Sequence, residues 1–167
     1  KLHNYWLEKN KINAHYQKEK LDNKDLKDLI INLKKAKIDG INVTVPFKKE
    51  IINHLDKLSF EAESTQSVNT IYLKNNMVIG HNTDIEGFEM SIKNINFDKV
   101  NKKVLILGAG GVVPSIIFAL KKMNLTEITI TNRTKKKAED LSKLFSNLKI
   151  IDWGDSSNFN MIINATS

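Results

Sequence analysis

The chain has 167 residues, of which 41% are hydrophobic and 27% are charged, a balance typical of a soluble globular protein. It contains no cysteine, which excludes disulfides, thiolate metal ligands and cysteine nucleophiles. The net charge of +7 comes from lysines spread among acidic residues and asparagines, so it favours anionic small molecules over nucleic acid as ligands. The four histidines, His3, His15, His54 and His81, lack metal-motif spacing, and we expect no metal.

The sequence carries no recognisable targeting segment. No apolar run approaches the roughly 18 residues that a membrane helix needs, and the first residues lack a signal-peptide pattern. We therefore expect a cytoplasmic protein that does not bind membranes. The chain begins with Lys1 rather than methionine and stops at INATS, directly after an apolar run typical of a buried strand. These ends predict a fragment of a longer protein that lacks both termini.

The first half of the chain alternates between helical and strand patterns. Residues 1–10 predict a short helix, and AHYQKEKL at 14–21 predicts a strand or extended segment. Residues 23–37 predict a helix whose apolar stripe is Leu26, Leu29, Ile30 and Leu33. INVTV at 41–45 predicts a strand, and the pattern from Phe47 to Leu58 predicts a helix that starts near Pro46. This alternation favours an α/β unit.

A hairpin and a helix are predicted to complete this half. VNTIYL and MVIGHNTD, separated by Asn75 and Asn76, read as two strands joined by a tight turn. A helix follows from about Ile85 to Ile95, and NFDKVNKK forms a polar connector. We place the domain boundary between Asp84 and Lys102.

The second half predicts a β-α-β-α-β unit, the first half of a doubly wound nucleotide-binding fold. Its predicted elements, in order, are the strand KVLIL, the helix VVPSIIFALKKMN, the strand EITITN, the helix KKAEDLSKLFS and the strands LKIIDW and MIINAT.

GAGGVV at 108–113 follows an apolar strand and opens a helix, which is the context of a phosphate-binding loop. Gly108 permits a tight turn, Gly110 lets the backbone approach a pyrophosphate, and Gly111 adds room. The third glycine of the usual fingerprint is replaced by Val113. The alternative is a strand-loop-helix turn that binds no ligand.

The end of the next predicted strand indicates which cofactor is bound. An NAD site usually has a carboxylate there, but this chain has Asn132, Arg133 and Thr134, followed by three lysines. A guanidinium offers a planar set of donors to a 2′-phosphate, so NADP is favoured over NAD. The alternative is a solvated helix start capped by Thr134.

Lys48, Asp84 and Asn69 are the candidate reactive residues, and each has two interpretations. Lys48 lies on the flank of the predicted apolar stripe while Lys49 faces solvent, so Lys48 is either a solvated lysine or a catalytic one. Asp84 is either the N-cap of the next helix or the carboxylate that orients Lys48. Asn69 bonds either to backbone or to a hydroxylated substrate.

Six ordered motifs resemble the shikimate dehydrogenase family: NVTVPFK, SVNTI, GHNTDIEGF, VLILGAGG, TITNRT and IINATS. KLHNYW resembles the segment just after that family's N-terminal Ser-Lys-Ser-Pro, so the resemblance covers the whole chain. It implies a two-domain enzyme that reduces 3-dehydroshikimate to shikimate with NADPH in aromatic amino-acid biosynthesis. The implied fold is an N-terminal α/β substrate domain at 1–84, a connector at 85–101 and an incomplete Rossmann-like, doubly wound NADP-binding domain at 102–167.

The resemblance also implies residue roles. The catalytic pair is Lys48 and Asp84, and the substrate contacts come from Thr44 and Asn69 together with that pair. The implied cofactor-binding residues are Gly108, Ala109, Gly110, Gly111, Val112, Asn132, Arg133, Thr134, Lys137 and Thr166.

Some positions depart from the family pattern. QSVNT stands where Gly-Ala-Val-Asn-Thr is usual, and Val112 to Pro114 replace small and basic residues. The serines that grip the substrate carboxylate in the family lie outside this sequence. Two rival functions stay open: a quinate/shikimate dehydrogenase of broader specificity, and a non-catalytic NADP-binding redox sensor. The expected partner is a small-molecule substrate, and the expected assembly is a monomer or homodimer.

Overall fold

The fold contains two β-sheets, each with its own hydrophobic core. The structure is a computed structural model that describes residues 1–95, 97–98, 100, 102–155 and 158–166. The first sheet is mixed and the second is parallel. Within these described ranges, no helix combines the length and apolar character that a membrane span requires.

The first half of the chain contains helices α1 (Leu2–Lys9), α2 (Leu26–Lys34) and α3 (Phe60–Thr65), and strands β1 (Gly40–Asn42), β2 (Lys57–Leu58), β3 (Thr70–Lys74) and β4 (Met77–His81). These strands form the first sheet in the order β1-β3-β4-β2, in which β2 runs parallel to β4 and the other neighbours are antiparallel. Two short 3-10 helices, Asn23–Asp25 and Glu50–His54, lie between them. The predicted helices at 1–10 and 23–37 are confirmed with shorter bounds.

The predicted hairpin is confirmed as β3 and β4, with Thr70 opposite His81 and Lys74 opposite Met77. Asn75 and Asn76 link the strands with φ values of 51° and 61°. Asparagine tolerates this left-handed conformation, which matches the twist of a two-residue hairpin. The hairpin delivers the HNTD segment to the start of the next helix.

The predicted helix from Phe47 to Leu58 is wrong. Residues 46–49 form turns, a 3-10 helix covers Glu50–His54, and Leu58 ends the short strand β2. The physical reason is tertiary bonding: the backbone N–H of Asp56 donates to Val78 at 3.0 Å and pulls the chain alongside β4. The helical spacing of the apolar residues was misleading because such spacing is only a local preference.

The strand predicted at 41–45 was also too long. In INVTV only Ile41 and Asn42 lie in a strand. The N–H of Val43 makes one further bond, to the carbonyl of Asn69 at 2.8 Å, and after it the chain leaves the sheet. The segment at 14–21, predicted as a strand or an extended segment, forms no strand. It contacts α1 through two hydrogen bonds between Asn4 and Tyr16 and through stacking of the Tyr16 ring on His3.

The second half of the chain contains β5 (Lys103–Leu107), α5 (Val113–Lys122), β6 (Glu127–Thr131), α6 (Lys135–Leu144), β7 (Leu148–Ile150) and β8 (Met161–Asn164). Its strands form a parallel sheet in the order β7-β6-β5-β8, as predicted for half of a doubly wound fold. The apolar run of β5 buries Val104, Leu105 and Ile106 completely, which explains its continuous hydrophobic pattern. Because all four strands are parallel, their carboxyl ends share one edge.

Helix α4 (Asp84–Asn94) connects the two sheets and packs against α5. Glu89 and Lys122 form an ion pair of 2.9 Å between the two helices, and the Glu89 carboxylate raises the pKa of Lys122. Phe60 of α3 also meets Phe118 of α5 edge to face, with ring centroids 5.9 Å apart. The predicted connector that follows α4 includes Asn96, Lys99 and Asn101, which lie outside the described residues.

Candidate active site

Lys48 and Asp84 form an ion pair, with Nζ 2.7 Å from Oδ2. Lys48 lies in the turn after β1, and Asp84 is the first residue of α4, whose N-cap is Thr83. The N-cap interpretation of Asp84 is therefore wrong by one residue. The side chains are only 17% and 26% exposed, so the pair is shielded from solvent yet accessible. The helix N-terminus favours the negative charge of Asp84.

Asn69 holds the other oxygen of the Asp84 carboxylate. Its Nδ2 donates to Oδ1 of Asp84 at 2.8 Å, and its Oδ1 accepts the backbone N–H of Thr83 at 3.0 Å. Asn69 is only 9% exposed, so these bonds satisfy an amide that would be costly to bury unpaired. The two carboxylate oxygens of Asp84 thus have separate donors, one from Lys48 and one from Asn69.

Backbone bonds fix the segments that carry this pair. The N–H of Val68 donates to the carbonyl of Lys48 at 2.8 Å, and the N–H of Asn69 donates to the carbonyl of His81 at 3.0 Å. The turn of Lys48 is therefore joined to the segment that leads through Asn69 into β3. Asn69 is in turn joined to the last residue of β4, the strand that leads into Asp84, so the geometry of the pair is set by the sheet.

Thr44 is exposed, and its carbonyl accepts the N–H of Phe47 at 3.0 Å. Within the described residues its side chain makes no hydrogen bond to the pair. Sequence reasoning missed Asn42 and Thr70, which extend the network: Asn42 Nδ2 donates to Thr70 Oγ1 (3.2 Å), and Thr70 Oγ1 donates to Asn69 Oδ1 (3.0 Å). The signal that could have revealed them is their place in the chain: Thr70 directly follows Asn69, and Asn42 lies two residues before Thr44.

The glycine loop divides into one constrained and two open positions. Gly108 has φ +108°, and a Cβ there would lie 2.7 Å from the carbonyl oxygen of Ala165. At Gly110 the nearest atom would be 3.8 Å away, and at Gly111 nothing lies within 4 Å. Gly108 is therefore required by the fold, whereas Gly110 and Gly111 leave open space at the start of α5. Such space suits a phosphate group beside backbone amides.

The other predicted cofactor residues lie at the same edge of the parallel sheet. The N–H of Gly108 donates to the carbonyl of Thr131, the last residue of β6, at 2.8 Å. Asn132 follows, and its Nδ2 donates to the carbonyl of Thr134 at 2.7 Å. Thr134 is the N-cap of α6 by position but makes no side-chain capping bond, so it does not act as the predicted cap.

Arg133 and Lys137 are exposed near the start of α6, and in the described part of the chain neither forms an ion pair. Thr166 follows β8, and its Oγ1 donates to Asn164 Oδ1 at 2.7 Å. Its backbone N would lie 3.0 Å from a Cβ on Gly108, so Thr166 borders the loop. Ala109 is half-buried and Val112 is 39% exposed in the same loop. Among the described residues, no group of three or more acidic, histidine or cysteine side chains could hold a metal.

Two family models match the chain. The model described as shikimate dehydrogenase substrate binding domain matches residues 1–71, and the model described as shikimate / quinate 5-dehydrogenase matches residues 91–167. The first match includes β1, β2 and the start of β3 of the mixed sheet, and the second includes all four strands of the parallel sheet.

Similar proteins carry the same family description. A shikimate dehydrogenase (NADP(+)) of Pelagibacter ubique is 58% identical over 167 residues, which cover all of this chain and 63% of that protein. The crystal structure of shikimate 5-dehydrogenase from Thermus thermophilus, in complex with NADP(H) and shikimate, has a TM-score of 0.88 at 28% identity, with coverage of 99% of this chain and 62% of that one. The enzyme from Listeria monocytogenes, in complex with shikimate and NAD, has a TM-score of 0.89 at 28% identity, with the same coverage.

The chain spans less than two thirds of the length of these relatives. The similarity nevertheless extends over the mixed sheet, the parallel sheet and the glycine loop between β5 and α5. The chain belongs to the shikimate dehydrogenase family.

Proposed function

We propose that the full-length protein reduces 3-dehydroshikimate to shikimate with NADPH, in the biosynthesis of aromatic amino acids. The observation that carries this proposal is the Lys48–Asp84 ion pair of 2.7 Å, partly shielded from solvent, in a chain of this family. The reaction needs a group that gives a proton to a ketone oxygen, and an ammonium held by a carboxylate can do so.

The residues around the glycine loop fit a dinucleotide phosphate. Gly110 and Gly111 leave room for a pyrophosphate at the N-terminus of α5, where free amides and the helix dipole favour negative charge. Arg133 is exposed just beyond β6, where a guanidinium can pair with a 2′-phosphate. Asn132, Thr134, Lys137 and Thr166 are proposed to complete the cofactor contacts, together with Ala109 and Val112.

When bound, NADPH supplies a hydride to the ketone carbon and becomes NADP⁺. Lys48 gives a proton from Nζ to the ketone oxygen, which balances the added hydride and yields the alcohol. Asp84 keeps the ammonium in place through Oδ2, and Asn69 keeps Asp84 in place through Oδ1. Thr44 and Asn69 are proposed to contact the substrate hydroxyls.

We further propose that residues 1–84 form the substrate unit, 85–101 the connection and 102–167 the cofactor unit. The proposed compartment is the cytoplasm, and the proposed assembly is a monomer or a homodimer. The division into two units is supported by the two separate sheets of the fold.

A single assay series separates this function from its rivals. The full-length protein is given shikimate or quinate, each with NADP⁺ or NAD⁺, and reduced cofactor is measured. The proposal expects turnover with shikimate and NADP⁺ to exceed the other three combinations. Comparable rates with quinate or NAD⁺ would indicate the broader dehydrogenase, a rival that the NAD-bound Listeria structure makes worth testing. Cofactor binding without turnover of either acid would indicate a redox sensor.

A further inference from the structure

Asn82 joins three segments of the chain through one buried carboxamide. Its Nδ2 donates to Thr65 Oγ1 at 3.1 Å and to Ser115 Oγ at 2.9 Å, and its Oδ1 accepts the backbone N–H of Asp84 at 3.0 Å. Asn82 and Ser115 are 0% exposed and Thr65 is 1% exposed. Burying an amide without hydrogen-bond partners is costly in free energy, so the fold strongly favours the arrangement in which all three bonds are made.

The chemistry of its neighbours gives the amide of Asn82 one orientation. The backbone N–H of Asp84 can only donate, so the carboxamide oxygen must face it. The hydroxyl of Thr65 already donates to the carbonyl of Glu61 at 2.7 Å, so it accepts from the NH₂ group. Both donors and the acceptor of Asn82 are therefore used, and the side chain cannot turn over without losing a bond.

These contacts connect the ion pair to the cofactor side of the molecule. Asp84 is the first residue of α4 and holds Lys48, while Ser115 lies in the first turn of α5, directly after the glycine loop. The ion pair between Glu89 and Lys122 braces the same two helices further along their length. Asn82 thus bridges the two helices at the ends that face the proposed chemistry.

We propose that Asn82 is a positioning residue: it fixes the backbone of Asp84 and, through Ser115, sets the distance between the Lys48–Asp84 pair and the helix that follows the glycine loop. Hydride and proton must arrive at neighbouring atoms of one carbonyl group, and a displacement of about 1 Å can cost a rate factor of about 100. A side chain that bonds to both helices controls this distance. The inference rests on the proposed reductase function.

The test uses the full-length protein with Asn82→Ala, Ser115→Ala and the double substitution. Ser91→Ala is the matched control, because Ser91 is exposed on α4 and its hydroxyl donates to the carbonyl of Phe88 at 2.7 Å. Turnover is expressed per NADPH-binding site, so that unfolded molecules are not counted. A second measurement does not depend on enzymatic turnover. The protein is treated with acetic anhydride, and mass spectrometry gives the ratio of acetylation at Lys48 to acetylation at its exposed neighbour Lys49.

We expect Asn82→Ala to lower kcat about tenfold or more, with the KM for NADPH nearly unchanged. Ser115→Ala should lower kcat less, and the double substitution should be no worse than Asn82→Ala alone, because Ser115 acts through Asn82. The acetylation ratio of Lys48 to Lys49 should rise in Asn82→Ala and stay at the wild-type value in Ser91→Ala.

Independent, multiplying losses of kcat in the double variant would overturn the inference, as would an unchanged acetylation ratio in Asn82→Ala. A wild-type protein that turns over no cyclic hydroxy acid would instead overturn the proposed function. In that case the acetylation ratio still decides whether Asn82 positions the pair.

Discussion

The ammonium of Lys48 lies 2.7 Å from one oxygen of Asp84, and the amide of Asn69 lies 2.8 Å from the other. The carboxylate is thus held from two sides by hydrogen-bond donors. Lys48 is the member of this pair with protons to give, and Asp84 is the member that sets its position. Loss of the Asp84 charge should therefore impair proton transfer without removing the amine.

Asp84→Asn tests this division of roles. The amide has nearly the same size but no charge, so Lys48 loses its anionic partner. We expect turnover to fall about 100-fold, within the range of general acid–base effects, with NADPH affinity nearly unchanged. Glu86→Gln is the control, because Glu86 is exposed in the same first turn of α4. Wild-type turnover in Asp84→Asn would remove the carboxylate from the mechanism.

The constrained Gly108 and the open Gly111 predict different losses of stability when alanine replaces each glycine. Gly108→Ala places a Cβ at φ +108° and 2.7 Å from the Ala165 carbonyl, whereas Gly111→Ala meets nothing within 4 Å. We expect Gly108→Ala to lower the free energy of unfolding by about 2 kcal/mol or more, and Gly111→Ala to change it by less than about 1 kcal/mol. Urea denaturation midpoints provide the measurement, and equal midpoints for the two variants would contradict the assignment.

Arg133→Ala tests the choice of cofactor. If the guanidinium pairs with the 2′-phosphate, its loss should weaken the binding of NADPH about tenfold or more, which is the contribution of a charge-assisted hydrogen bond. The binding of NADH should be nearly unaffected. Lys143→Ala is the control, since Lys143 lies near the other end of α6 and pairs with Asp140. Fluorescence titration with each nucleotide gives the dissociation constants. An equal loss of affinity for both nucleotides would rule out a 2′-phosphate contact.

Asp56 predicts a pH dependence of stability. The backbone N–H of Val78, followed by the side chain of Lys34, holds the pKa of the Asp56 carboxyl below its usual range. A folded-state pKa below the unfolded value of about 3.9 means that the stabilisation is present above that value and is lost as pH falls through the folded-state pKa. The free energy of unfolding should therefore fall less steeply below about pH 4 in Asp56→Asn than in the wild type.

The companion variant Lys34→Met separates the two causes of this effect. It removes the ammonium but keeps the backbone bond from Val78, which is the larger influence on the Asp56 pKa. Lys34→Met should therefore retain most of the pH dependence, in urea unfolding measured from pH 7 to pH 3. A stability difference between wild type and Asp56→Asn that does not vary with pH would contradict this account.

The parallel sheet could be predicted from sequence because its signals are local. An apolar run such as Val104 to Leu107 is typical of a strand buried on both faces, and the glycines after it mark the turn into a helix. The hairpin was predictable for the same reason, since Asn75 and Asn76 suit a two-residue turn.

The segment from Val43 to Leu58 was mispredicted because its conformation depends on distant partners. Lys48 accepts a bond from Val68, and Asp56 bonds to Val78 through both backbone and side chain. Such contacts outweigh the helical spacing of apolar residues. The role of Asn82 had no local signal either, because Thr65 and Ser115 lie 17 and 33 residues away in the chain.

Turnover of 3-dehydroshikimate by full-length Lys48→Ala, beside wild type and Lys49→Ala, tests the central claim most directly. Lys49 is the adjacent exposed lysine, so it controls for the loss of one charge. We predict that Lys48→Ala lowers kcat about 100-fold or more while its NADPH affinity stays near the wild-type value, and that Lys49→Ala behaves like wild type. Wild-type kcat in Lys48→Ala, or an equal loss in both variants, would contradict a proton transfer by Lys48.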